Sequence, residues 1–510
     1  MPNLMINARL KFAASSTITM LLLTGCMVGP KYHAPSPSAT ATAPPAAYKE
    51  SPTQFQDTNG WKVAQPQDAM LHGKWWEIYN DPELNALEEK LNIDNQNIRQ
   101  FFENFLTART LIAEARSQLY PTVGTSPSYQ ASQSSSNLTN SSNANTGRTS
   151  SIASLPFDVS WAPDLFGRVR NTIHEQQYNA QLSAADLENE RLAEQASLAA
   201  FFFEIRGQDA LQQLLNETVE NDKKALELAR ARYETGVDQR LSVVEAEATL
   251  QTVQSQAINL GVARAQFEHA IAVLVGANPS QFSIPVKPLL TNAPALPVGM
   301  PSGLLERRPD VAAAERRMAA ANAQIGIAYA AYYPTLSLSA SYGYQSSNFS
   351  HFFNFPSKFW SVGPTVSETI YDGGLRRATV NQFITTYNAD VATYRQTVLT
   401  AFQQVEDNLA AVRILSQQIL KQQQAVTSSE EALQLEIARY QTGVDPYLNV
   451  VTLQTTLLSN QETLASLHVQ EMTASVTLIE ALGGGWDLSQ LPTPAQVSRK
   501  LDKTETTIEK

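Results

Sequence analysis

Cysteine is almost absent: Cys26 is the only one in 510 residues, so no intramolecular disulfide can form. Long apolar runs are missing too. After the N-terminus nothing approaches the ~20 consecutive apolar residues of a membrane helix, so any bilayer crossing must be made another way. Positive charge is in deficit, and a net charge of −11 argues against a nucleic-acid partner, because little is left to neutralise phosphates. His33, His72, His174, His269, His351 and His468 are scattered without metal-ligand spacing. GxSxG, P-loop and dinucleotide motifs are absent. Gly483-Gly484-Gly485 lacks the strand a nucleotide loop requires and reads as a helix stop. Neither an enzyme nor a metal or cofactor is expected. Proline is missing from two long stretches, residues 167–236 and 373–443.

Those stretches are near 70 residues each, and as helices at 1.5 Å per residue each could reach ~100 Å, beyond any compact domain. Both end on the same turn: ARYETGVDQRLSVV from Ala231 has a near twin in ARYQTGVDPYLNVV from Ala438. Gly236 and Gly443 suit the reversal because glycine accepts positive φ cheaply, and Pro446 is expected in the first turn of the returning helix. The repeat is wider than its turn. LYPTVGTSPSYQASQ from Leu119 matches YYPTLSLSASYGYQS from Tyr332, and Val275-Gly276 matches Leu482-Gly483. Each half therefore runs short helix, strand, loop, strand, long helix, turn, long helix. Repeat 1 is expected over residues 71–285, with strands at 121–131 and 152–163 and helices at 167–235 and 238–275. Repeat 2 is expected over 286–487, with strands at 334–346 and 359–371 and helices at 374–442 and 446–482.

On the last helix Val450, Leu457, Leu464 and Leu478 recur every seven residues, broken at Glu471. Leu453, Leu467, Ala474 and Ala481 accompany them, broken at Asn460, and Val451, Leu458, Ala465, Met472 and Ile479 form a second stripe. One seam makes a two-stranded coil. Two adjacent seams imply neighbours on both sides, a wall of helices, with a plain antiparallel hairpin as the simpler alternative.

The strands show as alternation. Leu336, Leu338, Ala340, Tyr342 and Tyr344 share one face, as do Leu155, Phe157, Val159 and Trp161, with mostly small polar residues between them. Weaker versions lie at 122–130 and 360–370. Two strands per half give four per chain, and four cannot close, yet open edges are not tolerated against lipid. Two chains would give a barrel filled by its own side chains, whereas three would leave a conduit. A homotrimeric tube is expected.

At the N-terminus Arg9 and Lys11 precede FAASSTITMLLL, the layout of a secretory signal peptide over residues 1–25. Leu23-Thr24-Gly25-Cys26 resembles the bacterial lipobox. That resemblance implies N-acyl and S-diacylglycerol lipid on Cys26, an anchor that does not span the bilayer. Met27 follows where an Asp would favour the inner membrane. Residues 26–70, containing PKYHAPSPSATATAPPAAYKESP, read as an extended tether.

LLERRPDV from Leu304, continued by AAAERRMAAANAQIGIAYAAYYPTL, closely resembles the signature of TolC-like outer membrane factors. So do Trp75-Trp76 with Asp81-Pro82-Glu83-Leu84, CMVGPKYHAP from Cys26, and both RY-x-TGV turns. The branch most resembled is that of the OprM-like, NodT-type efflux lipoproteins, over essentially the whole mature chain. The resemblance implies a mainly α fold with a transmembrane β-barrel part. This is the TolC-like channel-tunnel, with a long α-helical barrel, four strands per chain in a shared twelve-stranded barrel, and an internal two-fold repeat. A mixed α/β equatorial belt would hold Trp75, Trp76 and the tail at 488–510. It also implies a passive trimeric exit channel for small molecules such as drugs, lipid-anchored in the outer membrane. Its partners would be a periplasmic adaptor (membrane fusion) protein and an inner-membrane pump of the resistance-nodulation-division type.

The two turns then become periplasmic tips. Adaptor hairpins dock between such tips in the family, which makes Arg232, Tyr233, Thr235, Gly236, Val237 and Leu241 candidates, with Arg439, Tyr440, Thr442, Gly443, Val444 and Leu448. The plainer reading is that they cap and pack a helical hairpin. Relatives close the mouth with aspartate rings and a tyrosine-centred network, and Tyr440 matches that tyrosine. Asn449 and Thr452 stand at the aspartate positions, so the second half does not reproduce the ring. Asp238, Glu245, Glu247 and Asp445 lie close by, and Glu245, the counterpart of Thr452, is the first candidate to make the mouth attract cations. A solvated helix face is the bland alternative. Two rival functions are an exit duct for type I protein secretion and a structural coiled-coil lipoprotein without a channel.

Overall fold

A computed structural model describes residues 27–37, 48–50, 73–133, 135, 149–289, 293–294 and 304–500. The signal-peptide segment 1–25 and the lipidation candidate Cys26 lie outside the described residues.

The two halves repeat one another in helix length. In the first, α1 (Pro82–Asp94) and α2 (Gln96–Ser117) precede the strands, and α3 (Arg168–Glu234) and α4 (Arg240–Leu274) follow them. In the second, α5 (Pro309–Ala330) precedes, and α6 (Leu375–Gln441) and α7 (Tyr447–Ala481) follow. The paired helices α3 and α6 are both 67 residues long, α4 and α7 both 35, and α2 and α5 both 22. Each 67-residue helix is ~100 Å long. Asp164 fixes the start of α3 by accepting from the Arg170 amide at 2.9 Å, and Asp372 does the same for α6 through the Arg376 amide at 3.1 Å.

Helix α3 packs against α4 on one side and α7 on the other, and α7 packs against α6, giving a wall in the order α4–α3–α7–α6. The doubled stripe on α7 explains this, since Leu458, Met472 and Ile479 of one seam and Val450 and Leu478 of the other are all buried. Both breaks in the heptads are polar fasteners. Asn460 donates to Ser429 Oγ at 2.7 Å and accepts from Gln422, and buried Glu471 accepts the Ala293 amide of the inter-repeat linker. The outer edges of the wall are left apolar and bare: Ile258 and Val262 on α4, Leu399, Ile414 and Leu420 on α6.

The main core lies midway along the wall, where Phe202, Ile205, Ile271, Val405, Met472 and Val476 meet. Trp75 and Trp76 plug it from the belt side, Trp75 donating from Nε1 to Gln195 at 3.2 Å. Helix α5 is alanine-rich and packs closely on α3 and α6. Arg308, from the LLERRPD stretch, caps the C-terminus of α7 by donating to the Ala481 carbonyl at 2.8 Å. From the tail, Val497 joins a cluster with Ile112, Val169 and Ile173, so the described part of 488–510 reaches α2 and the first turns of α3, beside the sheet.

The strands β1 (Thr122–Thr125), β2 (Ser128–Gln133), β3 (Thr149–Trp161), β4 (Thr335–Ser346) and β5 (Lys358–Ser367) form one antiparallel sheet. The first expected strand, 121–131, is broken in two, although both pieces keep one continuous register against β3. Pro127, and Pro156 across from Ser126 in that register, supply no N–H there, so the ladder lapses. The last strand ends at Ser367 rather than near 371, because Ser367 pairs with Thr335, the first residue of β4. Four strand rows result, with β1/β2 and β5 as open edges.

The registers place Val123, Phe157, Val159, Leu338, Ala340, Tyr342, Trp360 and Val362 on one face, with Gly124, Asp158, Ser160, Ser339, Ser341, Ser361 and Gly363 on the other. Trp360 is 75% and Val362 72% exposed on the apolar face. Among the described residues no helix is long and apolar enough to cross a membrane.

The N-terminal tether is corrected as well. The described parts of the tether are strapped to the body. Val28 donates from its amide to Phe166 O at 3.2 Å and accepts from Asn171 at 3.0 Å, and Gly29, at φ +117, lies against Gly326 of α5 with no room for a side chain. Further on, the amides of Lys49 and Glu50 donate to Glu406 at 2.8 and 2.9 Å, Glu50 pairs with Arg413 at 2.7 Å, and Tyr48 is buried.

Candidate functional site

The two tips are built alike. In each, a 67-residue helix stops at a threonine whose hydroxyl bonds back into the last turn, Thr235 to Ala231 O and Thr442 to Ala438 O. Gly236 (φ +73) and Gly443 (φ +77) follow in the left-handed region. The next amide closes the turn, Val237 to Arg232 O at 2.9 Å and Val444 to Arg439 O at 3.0 Å, satisfying carbonyls the helix end leaves free. Pro446 stands one residue before α7, as its N-cap rather than in its first turn, and its carbonyl accepts the Asn449 amide.

Side chains then tie the tips together. Tyr440 Oη donates to Asp238 Oδ2 at 2.6 Å. Asp238 Oδ1 accepts from the Gln239 amide at 2.7 Å and from Ser242 Oγ at 2.9 Å. The Arg232 guanidinium lies 4.7 Å over the Tyr440 ring, approaches Asp238 at 3.8 Å, and donates to Gln441 O at 3.0 Å. Tyr447 packs on Tyr440 at 5.2 Å, over a floor of Leu226, Ala229, Ala246, Leu433 and Val450. Two residues of the first hairpin, Arg232 and Asp238, therefore grip the tyrosine of the second.

Burial works to raise the Asp238 carboxyl, but the bonds from Tyr440, Gln239 and Ser242 and the charge of Arg232 outweigh it and hold it below its ordinary value. Tyr440 is pushed well up, by burial first and by its bond to the anionic Asp238 second. The phenol stays protonated and donates at any physiological pH.

Of the other acids, Asp445 pairs with Arg439 and Glu247 with Arg230 at 2.6 Å, so both are engaged within their own hairpins. Glu245 is half-buried, and its charge, after burial and Asp222, helps push the Tyr447 phenol up to about 12. Asn449 and Thr452 are exposed and outside the network, the Thr452 hydroxyl bonding only to Leu448 O of its own helix. Among the docking candidates, Tyr233, Val237 and Leu241 are exposed on the first tip, with Arg439, Val444 and Leu448 on the second. Arg232 is not presented in that way; it is drawn inward onto Tyr440. Sequence reasoning missed Asp222, which is buried in α3 with Oδ2 unpartnered and is pushed by burial to about 6. A lone acid within an otherwise Leu- and Ala-lined stripe was the available signal.

Comparison with known proteins adds to this geometry. Residues 90–277 and 300–484 match the family model described as outer membrane efflux protein. The chain is 30% identical over 479 residues to the antibiotic efflux pump outer membrane protein ArpC of Pseudomonas putida, covering 93% of this chain and 96% of that one. It is 31% identical over 490 residues to the outer membrane protein OprJ of Pseudomonas aeruginosa, again covering 93% and 96%. Among solved structures, it is similar to the outer-membrane channel OprN, with a TM-score of 0.80, 27% identity, and coverage of 90% of this chain and 100% of that one.

Proposed function

Because the chain belongs to the outer membrane efflux protein family, we propose that it is the outer-membrane exit channel of a tripartite efflux system, a passive conduit for small molecules. The single observation that carries this is the sheet: four rows, one face apolar, both edges open, continuous with a helix wall whose own edges are apolar and bare. One chain cannot seal either element against lipid or water. Three copies would pair β5 of one with β1/β2 of the next and join α6 to a neighbouring α4, making a twelve-stranded pore on a helical tube.

In that assembly Tyr440, Asp238 and Arg232 form a latch that holds the periplasmic mouth narrow. The exposed apolar tips, Val237 with Leu241 and Val444 with Leu448, are docking ground for an adaptor hairpin that links the channel to an inner-membrane pump of the resistance-nodulation-division type. Lipid on Cys26 would begin one residue from Met27, which packs on Gly167 at the start of α3, so the anchor would sit at the foot of the barrel. Small-molecule cargo is favoured over secreted protein by the antibiotic efflux named for ArpC.

The test is purification of the full-length protein from membranes. Cross-linking to trimers, bilayer conductance, and hypersensitivity of a deletion strain to antibiotics are expected together. A detergent-extracted monomer without conductance would overturn the reading.

A further inference from the structure

The two hairpins of the sheet end in unlike loops. The first, SQSSSNLTNSSNANTGRTSS from Ser132, carries no aromatic residue, whereas residues 348–357 of the second carry four phenylalanines. Phe349, Phe353 and Phe355 are 77%, 70% and 81% exposed. These rings are held in place. Asn348 accepts the Ser350 amide at 3.1 Å, Ser357 Oγ donates to His351 O at 2.8 Å, and Phe352, itself buried, stacks on Phe349 at 5.8 Å and meets Phe353 edge-on at 5.0 Å.

The direction in which the loop folds is decisive. Phe352 and Phe353 sit 6.3 and 5.5 Å from Tyr344, which belongs to the apolar row of β4. The cluster therefore bends over the outer, apolar face of the sheet and not across its polar face. Its height is also fixed. Leu336 to Tyr344 is eight residues, ~27 Å along a strand and ~20 Å along a barrel axis at a tilt of ~40°, close to the ~25 Å of a lipid-facing band. Tyr344 thus marks the outer rim of that band, at the end of the sheet away from the helices. Lys358 stands there too, its ammonium 5.0 Å from the Phe355 ring and 6.0 Å from the Tyr344 ring.

We infer that residues 348–358 form a membrane-docking element: the phenylalanines enter the acyl region of the outer leaflet while Lys358 meets its phosphate groups. The occupant of the surface is outer-leaflet lipid, chosen because the patch is continuous with the lipid-facing sheet and is edged by a cation at phosphate level. This rests on the reading of the sheet as a transmembrane barrel.

The test uses full-length protein reconstituted into phosphatidylcholine vesicles whose acyl chains are brominated near the headgroup. The emission of Phe353→Trp, less that of the parent protein, is expected to fall at least about twofold in brominated vesicles and to resist aqueous iodide, as for an interfacial aromatic ring. Quenching by iodide without quenching by bromine, the mark of a ring turned across the mouth, would overturn the inference, as would indifference to both, which marks a ring covered by a neighbouring chain. Phe349→Trp, read in the same way, serves if Phe353→Trp fails to reconstitute. Conductance of the same vesicles separates the two readings. A conducting channel with a lipid-free ring sinks this inference alone, while a non-conducting parent protein sinks the barrel.

Discussion

Tyr440→Phe removes one hydroxyl and leaves the ring under Arg232 and beside Tyr447, so it isolates the bond to Asp238. A hydrogen bond to a charged group is worth roughly 1.5–3 kcal/mol when buried. The Asp238 side chain retains 15% exposure at a tip that faces water, so about 1 kcal/mol per chain is the fitting figure. Three symmetric latches would then contribute about 3 kcal/mol, a shift of about a hundredfold in the ratio of closed to open mouths. Single-channel recording should show a matching rise in open probability, and cells carrying the variant should admit antibiotics too large for the closed mouth. Asp238→Asn keeps an acceptor but loses the charge, and its effect should overlap with that of Tyr440→Phe in the double variant. Unchanged open probability for Tyr440→Phe, or strictly additive effects in the cycle, would refute the latch. The acid limb has a definite sign. The Asp238 carboxyl lies below its ordinary 3.8, so the latch is intact above that value and lost as pH falls through the lower one.

Asp222 titrates with the opposite sign. Its value is raised from 3.8 to about 6, so packing above the tips is strongest below pH 3.8 and loses on the order of 2–3 kcal/mol as pH rises from there to about 6. Hydrogen exchange in α3 should loosen between pH 5 and pH 7.5 by roughly tenfold, and an Asp222→Asn protein that keeps this dependence would count against the assignment. In the belt, Glu88 is wholly buried, neither carboxyl oxygen has a partner among the described residues, and burial holds it well above its ordinary value. Glu88→Leu is expected to stabilise by about 1–3 kcal/mol, more at pH 8 than at pH 5, as read by thermal unfolding in detergent. In the sheet, a Cβ on Gly343 would stand 2.2 Å from Leu155 O. Gly343→Val should abolish the heat-modifiable barrel band on semi-native gels, and a normal band would show that β3 and β4 do not approach as described.

Much of the architecture was written in local pattern. Proline-free runs of 67 residues, glycines after threonines at both turns, and doubled heptad stripes on α7 each act over a few neighbouring residues, so helix, turn and wall could be read without coordinates. Alternation likewise gave the strand faces, and missed the break where Pro127 and Pro156, 29 residues apart in the chain, come to adjacent rungs of one ladder, and the early end of β5 at Ser367. The site divided differently. Tyr440 could be named from its turn, but its partner could not. Asp238, two residues past the glycine, was one of four acids close by, and only the folded tips show that it is the one that holds the phenol. Arg232, read from the sequence as a docking candidate, lies over Tyr440 and beside Asp238 in the folded tips. Breaks in the heptads looked like noise until Asn460 found Ser429 and Glu471 found the linker. The division has one physical cause. Periodicity records what each residue does to its own turn or strand, whereas polar partners thirty to two hundred residues apart are chosen by where the long helices lie level, and only the folded wall fixes that register.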